Sequence, residues 1–250
     1  MEISLKAETI FHIGSFPITN SLIASWLAIL VLIFLAIILR LQLKIIPGRL
    51  QNLFESIFEY FLGLMEDVYG SREKAKKIFP FAATFFLFIL FSNWMGILPG
   101  VGSLGRYAWN HETGRVLFLP ILRSANADLN TTLALAIISV LLTQVFGIMT
   151  AGFFKYLKRF FNFKGPINLF ASILEFFSEL IKVISFSFRL FGNIFAGEVL
   201  LLVVSALVPY IAPLPFYGLE IFVGLIQALV FTMLTIVFIR LAFLVAEEEH

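Results

Sequence analysis

The sequence predicts an all-α membrane protein, with about three near-upright transmembrane helices, an interfacial amphipathic helix and a long, steeply tilted carboxy-terminal helical hairpin. Of the 250 residues, 60% are hydrophobic and only 14% are charged, whereas soluble domains carry about 25% charged residues. Apolar runs of about 20 residues recur, which is the length that crosses a hydrocarbon core. Near the carboxy terminus two apolar stretches are too long for upright spans.

Apolar runs, and the turn residues between them, divide a single integral-membrane domain, residues 1–250, into consecutive segments. In chain order these are an outside amino-terminal segment (1–21), a first span (22–46), an amphipathic interfacial helix (49–70), a second span (78–98), an outside loop rich in Gly and Pro (99–128), a third span (129–154), a long tilted helix (166–208) and a final tilted helix (214–246).

The first span is predicted to be retained, because a mixed polar stretch precedes it and no small-residue cleavage site follows. In segment 49–70, apolar residues recur at helical spacing opposite acidic ones such as Glu55 and Glu59. This pattern suits a helix at the membrane interface and, equally, a helix packed on the protein.

The long segment from Pro166 to Val208 contains no other proline. As one helix it is about 65 Å long, twice the hydrocarbon thickness, so it must tilt, bend or protrude. The sequence leaves open whether it is continuous or broken between Gly192 and Gly197. The final segment poses the same problem at about 50 Å.

Basic residues predict the orientation. The link from Arg40 to Lys77 holds seven Lys and Arg, and the link from Lys155 to Lys164 holds four. Both links should face the cytoplasm, which places the amino terminus outside and the carboxy terminus in the cytoplasm.

Polar side chains of the long helix form a stripe. At about 100° per residue, they fall within about 80° of Arg189, whereas Glu198 falls on the opposite face. The members of the stripe are Glu175, Ser178, Glu179, Lys182, Ser185 and Asn193. Ionisable groups at this depth cost several kcal/mol unless water or partners compensate them. The plainer alternatives are a solvated Glu179–Lys182 pair and a snorkelling or ion-paired Arg189.

On the final helix, Glu220 and Gln227 are seven residues apart and share a face. They could line one aqueous pocket with Glu198, or Gln227 could simply hydrogen-bond a neighbouring helix. The chain has no Cys and no P-loop, and its His residues lie outside the predicted spans, so nucleotide hydrolysis by a P-loop and an intramembrane hydrolase are disfavoured. Charged groups along a watery path are typical of ion translocation.

Residues 185–198 contain R-L-F-G-N followed by A-G-E, and this run closely resembles the signature of subunit a of F-type ATP synthases. Further segments resemble that family in the same order, and the resemblance covers nearly the whole chain from Leu22 onward. They are Asn93–Pro99, Ala127–Thr132, Pro166–Asn168 with Glu175 and Lys182, Gln227–Val237 and the acidic tail ending in Glu249 and His250.

The resemblance implies a non-catalytic membrane stator that faces a rotating ring of c subunits, with two offset aqueous half-channels. Arg189 resembles the essential stator arginine. Glu198, Gln227 and Asn93 resemble the outside half-channel and Asn193 the residue beside the arginine. Glu220 is a further candidate for ion translocation, and Glu175, Ser178, Glu179 and Lys182 are candidates for the cytoplasmic half-channel.

The resemblance further implies one copy per complex, contacts with the c-subunit ring, the peripheral-stalk b subunits and the remaining ATP synthase subunits, and a place in the lipid bilayer of a bacterial plasma (inner) membrane. It implies no cofactor, no metal ion and no catalytic residue, and a net charge of +2 does not indicate nucleic acid.

One position departs from a known version of the family pattern. Some members have a His seven residues before the conserved Gln, where this chain has Glu220. The partner of Glu198 is therefore expected to be acidic. Two carboxylates could relay a proton if one of them is neutral, and they could also favour Na⁺; a proton is the first choice of coupling ion and Na⁺ the alternative. The competing functions are a self-contained channel or transporter, and a membrane scaffold with no ion path.

Overall fold

The computed structural model describes residues 7–98, 100–101, 104–110, 115–157, 160 and 165–248. In chain order its elements are β1 (Thr9–Ile13), β2 (Phe16–Thr19), α1 (Asn20–Gln42), α2 (Arg49–Tyr69), α3 (Arg72–Ile97), β3 (Gly105–Asn110), β4 (Arg115–Pro120), a 3-10 turn (Ala125–Ala127), α4 (Leu129–Ala151), α5 (Phe153–Leu157), α6 (Pro166–Leu207) and α7 (Pro213–Glu248). The end of the acidic tail, Glu249 and His250, lies outside the described residues.

The predicted all-α membrane class is confirmed. Helices α1, α3, α4, α6 and α7 are each long and apolar enough to cross a membrane. Large apolar side chains such as Leu30 and Phe34 on α1 are more than half exposed. Such a surface is unfavourable in water and suits a hydrocarbon environment.

Local signals in the sequence set several helix ends. The Thr19 side chain caps α1 by accepting a hydrogen bond from the Leu22 backbone N–H. The Asp128 side chain caps α4 in the same way, with the Asn130 N–H as donor. Pro166 occupies the first turn of α6, where its missing N–H costs nothing. Gly70 ends α2 in the left-handed conformation, which glycine adopts without strain.

Helix α6 is one continuous helix of 42 residues. Its length of about 63 Å is twice the hydrocarbon thickness. The break near Gly192 to Gly197 that the sequence left open is absent, so residues on α6 keep helical spacing along its whole length.

The core lies between α3, α4, α6 and α7. Ile89, Leu190 and Ile236 are at most 1% exposed, and the ring of Phe186 lies 5.2 Å from that of Phe231. Two hydroxyl pairs also join the helices across this core. They are Ser139 with Thr235 at 2.7 Å, and Thr132 with Ser187 at 3.1 Å.

Helix α2 packs on the protein through one face. Phe61, Met65 and Tyr69 are buried, and the Tyr69 hydroxyl donates to the Ile236 carbonyl of α7 at 3.0 Å. The acidic face carries Glu59, which pairs with Arg72 at the start of α3. Of the two alternatives for this helix, packing on the protein is shown, and a position at the membrane interface stays a prediction.

Two antiparallel hairpins lie at the same end of the bundle. The first pairs β1 with β2 and the second pairs β3 with β4. Arg106 of β3 donates to the Ile10 carbonyl, and the Asn20 side chain donates to the Pro120 carbonyl at 3.4 Å. The amino-terminal segment is therefore attached to the long loop between α3 and α4.

Candidate ion-translocation site

Arg189 lies on the outer surface of α6. It is exposed, and among the described residues it has no hydrogen bond or ion pair. Its neighbour Phe188 is 56% exposed, whereas Leu190 is 1% exposed and faces the core. The ion-paired structural role is therefore unsupported within the described chain. A permanent charge on an otherwise apolar face requires a partner or water from outside the subunit.

Asn193 is also exposed. It follows Arg189 by four residues and lies on the same face of the helix. The pair forms a short polar patch on a surface rich in Phe and Leu.

Glu198 is paired with Arg123, a residue that sequence reasoning missed. The Arg123 Nε atom lies 3.0 Å from both carboxylate oxygens of Glu198. The side chain of Arg123 is 9% exposed and that of Glu198 is 30% exposed. The Arg123 guanidinium also lies 5.7 Å from the centre of the Phe195 ring. The only feature of the sequence that could have pointed to Arg123 is its position, five residues before Asp128 at the end of a long loop.

Glu220 reaches the same region of α6 through a gap left by a glycine. It is 5% exposed, and a side chain at Gly197 would overlap its carboxylate. The expectation that Glu220 is the partner of Glu198 needs correction, because the hydrogen-bonded partner of Glu198 is the basic Arg123. Spacing along one helix could not foresee a partner on a distant loop.

Asn93 belongs to the contact between α3 and α7. Its amide donates to the Gly224 carbonyl at 3.0 Å, and its side-chain oxygen accepts from Asn126 at 2.7 Å. Gln227 is half-buried one turn beyond Gly224. Within the described residues the Gln227 side chain makes no hydrogen bond, so it does not tie α7 to a neighbouring helix there.

Near the other end of α6, Lys182 donates to Glu179 at 2.7 Å. Their side chains are 18% and 11% exposed, so the pair is not the solvated salt bridge considered above. The Lys182 ammonium also lies 4.7 Å from the centre of the Phe238 ring. Glu175 and Ser178 are half-buried on the preceding turns.

These residues form two groups on either side of Arg189. We name each group for the side of the membrane that the sequence predicts for it: the outside cluster comprises Arg123, Glu198, Glu220, Asn93 and Gln227, and the cytoplasmic pair comprises Glu179 and Lys182. Along α6, Lys182 precedes Arg189 by about 10 Å and Glu198 follows it by about 14 Å. Nine residues on a continuous helix also put Glu198 on the face opposite Arg189.

Comparisons with known proteins agree over nearly the whole chain. The family model described as ATP synthase A chain matches residues 22–240. The chain is 37% identical over 243 residues to ATP synthase subunit a of Campylobacter jejuni (strain RM1221), which covers 96% of this chain and 91% of that protein. It is 32% identical over 238 residues to ATP synthase subunit a of Moorella thermoacetica (strain ATCC 39073 / JCM 9320), covering 94% and 95%.

A third relative, ATP synthase subunit a of Campylobacter fetus subsp. fetus (strain 82-40), is 35% identical over 251 residues and covers 99% of both chains. With helices able to cross a membrane several times, the protein is an integral, multi-pass membrane protein. The chain therefore belongs to the ATP synthase A chain family, as a non-catalytic, proton-conducting stator subunit of an F-type ATP synthase that works in complex with the other subunits.

Proposed function

We propose that this chain provides two offset proton half-channels that meet at Arg189, opposite a ring of c subunits, and that it thereby couples proton flow to rotation of the ring. The main support for this proposal is that Arg189 is exposed on α6 and has no hydrogen-bond or ion-pair partner within the described residues. A guanidinium placed in this way is available to a carboxylate on a neighbouring subunit.

The fixed charge performs two tasks. A guanidinium stays protonated at all relevant pH values, so it stabilises the ionised form of a ring carboxylate and releases its proton. The same charge repels a proton moving directly between the half-channels, which prevents a leak. Each proton that crosses 100 mV releases about 2.3 kcal/mol, and this energy drives the rotation.

The outside half-channel is assigned to the outside cluster, with Asn193 beside the arginine. Support comes from the acidic and amide groups that α3, α6, α7 and the loop before α4 bring to one region. The cytoplasmic half-channel is assigned to the cytoplasmic pair, with Glu175 and Ser178. Support comes from a carboxylate and an ammonium held together inside the bundle.

A proton is the preferred coupling ion for this arrangement. Both Glu198 oxygens already face the Arg123 guanidinium, and a bound Na⁺ would have to compete with this fixed cation for the same oxygens. A proton needs only one of those oxygens.

One copy per complex, contacts with the c-subunit ring and the peripheral-stalk b subunits, and a bacterial plasma membrane complete the proposal. The basic links between α1 and α3 and after α4 support an amino terminus outside and a carboxy terminus in the cytoplasm.

The decisive variant is Arg189→Ala in the intact ATP synthase, reconstituted in liposomes. We expect ATP-driven proton pumping to be abolished while the complex still copurifies with its ring. Arg40→Ala is the matched control, because Arg40 is also exposed but lies in the last turn of α1, and it should pump normally. Pumping that survives in Arg189→Ala would contradict the proposal.

A second experiment addresses the self-contained channel. The purified chain alone, in liposomes with an imposed potential, should not conduct protons, because Arg189 faces away from the bundle and the proposed c-subunit ring is not there to carry protons between the half-channels. Conductance by the chain alone, blocked by Arg189→Ala, would support the channel instead.

A further inference from the structure

Glu8 lies within electrostatic range of Arg123 and Glu198, two members of the outside cluster, although it is far from them in sequence. Its backbone carbonyl accepts a hydrogen bond from the Asn20 N–H at 3.0 Å, which fixes it at the start of α1. The β1–β2 hairpin between these residues is attached through Ile10 to Arg106 of β3. Glu8 is therefore held in position by the fold of the amino-terminal segment.

One carboxylate oxygen of Glu8 is buried without a hydrogen bond. The Oε2 atom is inaccessible to solvent and has no partner among the described residues. Burying such an oxygen unpaired is unfavourable, and more so when the group is ionised. The site is therefore built to hold a proton on Glu8 or to present this oxygen to a proton donor.

The charged groups that act on Glu8 are Arg123, from the loop before α4, and Glu198 of α6. The neighbouring charges are occupied elsewhere, since Arg106 donates to Ile10 and Asp128 accepts from Ser21 at 2.8 Å. Glu8 and Glu198 thus share the influence of one guanidinium.

We propose that Glu8 is the outermost proton-exchanging group of the outside half-channel and passes protons to Glu198 within the field of Arg123. This inference rests on the proposed function and extends the half-channel to the amino-terminal hairpin.

The charge balance of the three groups supports a single mobile proton. With both acids ionised, Glu8, Glu198 and Arg123 carry a net charge of −1, and one bound proton makes the group neutral. In the transfer, an O–H bond of the Glu8 carboxylic acid breaks and an O–H bond forms on the Glu198 carboxylate. Water outside then returns a proton to Glu8, so atoms and charge balance.

The titration of Glu8 agrees with this role. Burial raises the pKa of the Glu8 carboxyl group, while Arg123 lowers that pKa and Glu198 raises it. The net upward direction moves proton exchange at Glu8 toward neutral pH, where a relay is most effective.

The test uses the intact ATP synthase in liposomes, with proton flux measured while the pH on each side is varied separately. In Glu8→Gln we expect flux to fall severalfold at alkaline outside pH, with an unchanged dependence on cytoplasmic pH. Glu8→Asp should retain intermediate flux. Glu55→Gln, at an exposed position on α2, is the control and should match the unmodified protein.

Equal flux in Glu8→Gln and the unmodified protein at every outside pH would overturn the inference. So would a loss that is the same at all pH values and follows the amount of assembled complex, because that pattern marks a structural role. Arg189→Ala run in parallel separates the two proposals: if it abolishes pumping while Glu8→Gln has no effect, only the role of Glu8 fails.

Discussion

The carboxylate of Glu220 on α7 occupies the space that a side chain at position 197 of α6 would need. The two helices therefore pack against each other here, where one contributes no side chain and the other contributes a buried acid. Gly197 directly precedes Glu198, so this contact lies one residue before the acid that pairs with Arg123.

Gly197→Ala should destabilise the subunit by about 1–3 kcal/mol, the usual cost of forcing extra atoms into a packed site. The measurement is the midpoint of thermal unfolding of the purified complex. Gly218→Ala on α7 is the matched control, since a methyl group there meets nothing within 4 Å. Adding Glu220→Ala to Gly197→Ala should restore much of the lost stability, and a double variant no more stable than Gly197→Ala would contradict the packing argument.

Arg123 and Glu198 should behave as a coupled pair. Either single change, Arg123→Gln or Glu198→Gln, leaves the other charge largely buried without its partner, so each should reduce stability and outside proton access. The double variant should lose less stability than the two single variants lose together, with a coupling energy of about 0.5–3 kcal/mol in a double-mutant cycle. Arg123→Gln combined with the distant Glu55→Gln should be additive, and additivity in both cycles would argue against the pairing.

Tyr69→Phe should weaken the attachment of α2 to α7. The lost hydrogen bond to the Ile236 carbonyl is worth about 1 kcal/mol at neutral pH. Burial raises the pKa of the Tyr69 phenol, an effect that Arg240 opposes. The folded state therefore keeps its proton after the unfolded state has lost it, and stability falls as pH rises above about 10, the unfolded value. The difference in stability between the unmodified protein and Tyr69→Phe should therefore become smaller in that pH range.

Thermal unfolding at neutral and alkaline pH measures this gap. Tyr60→Phe is the control, because Tyr60 is 69% exposed on the same helix and should show no stability change. A gap that is constant with pH would show that the phenol proton is not retained by the fold.

Lys182→Gln should affect the cytoplasmic side. The change leaves a buried carboxylate on Glu179 without its ammonium partner, at a cost of about 1.5–3 kcal/mol for a hydrogen bond to a charged group. Glu179→Gln with Lys182→Gln should be more stable than Lys182→Gln alone, because no charge is then left uncompensated. The checks are thermal unfolding and proton flux as cytoplasmic pH is varied, with Lys76→Gln at an exposed position as the control.

The features that depend on the regular spacing of residues along one helix were predictable from the sequence. Apolar runs predicted the membrane-crossing helices, and the absence of proline after Pro166 predicted a very long α6, which is 42 residues and unbroken. The opposite faces of Arg189 and Glu198 follow from the same regular spacing. These features depend only on local chain geometry.

Contacts between distant segments were not predictable in this way. Arg123 is separated from Glu198 by 75 positions, and no periodicity relates a loop residue to a helix face. Glu8 likewise reaches the cluster only because its carbonyl binds the first turn of α1. The sequence also could not decide whether the Glu179–Lys182 pair is solvated, because a helical wheel shows the face of a residue and not what packs against it.

The outward position of Arg189 has a consequence for biogenesis. If Arg189 faces the c-subunit ring as proposed, a copy inserted before the ring exposes a bare cation to lipid, at about 2.5–3.5 kcal/mol on insertion scales. Joining the ring removes that penalty, so the newly made polypeptide reaches its lowest free energy only within the finished motor. An unassembled copy is therefore less stable than a copy within the complex, so the stability of this subunit depends on its assembly.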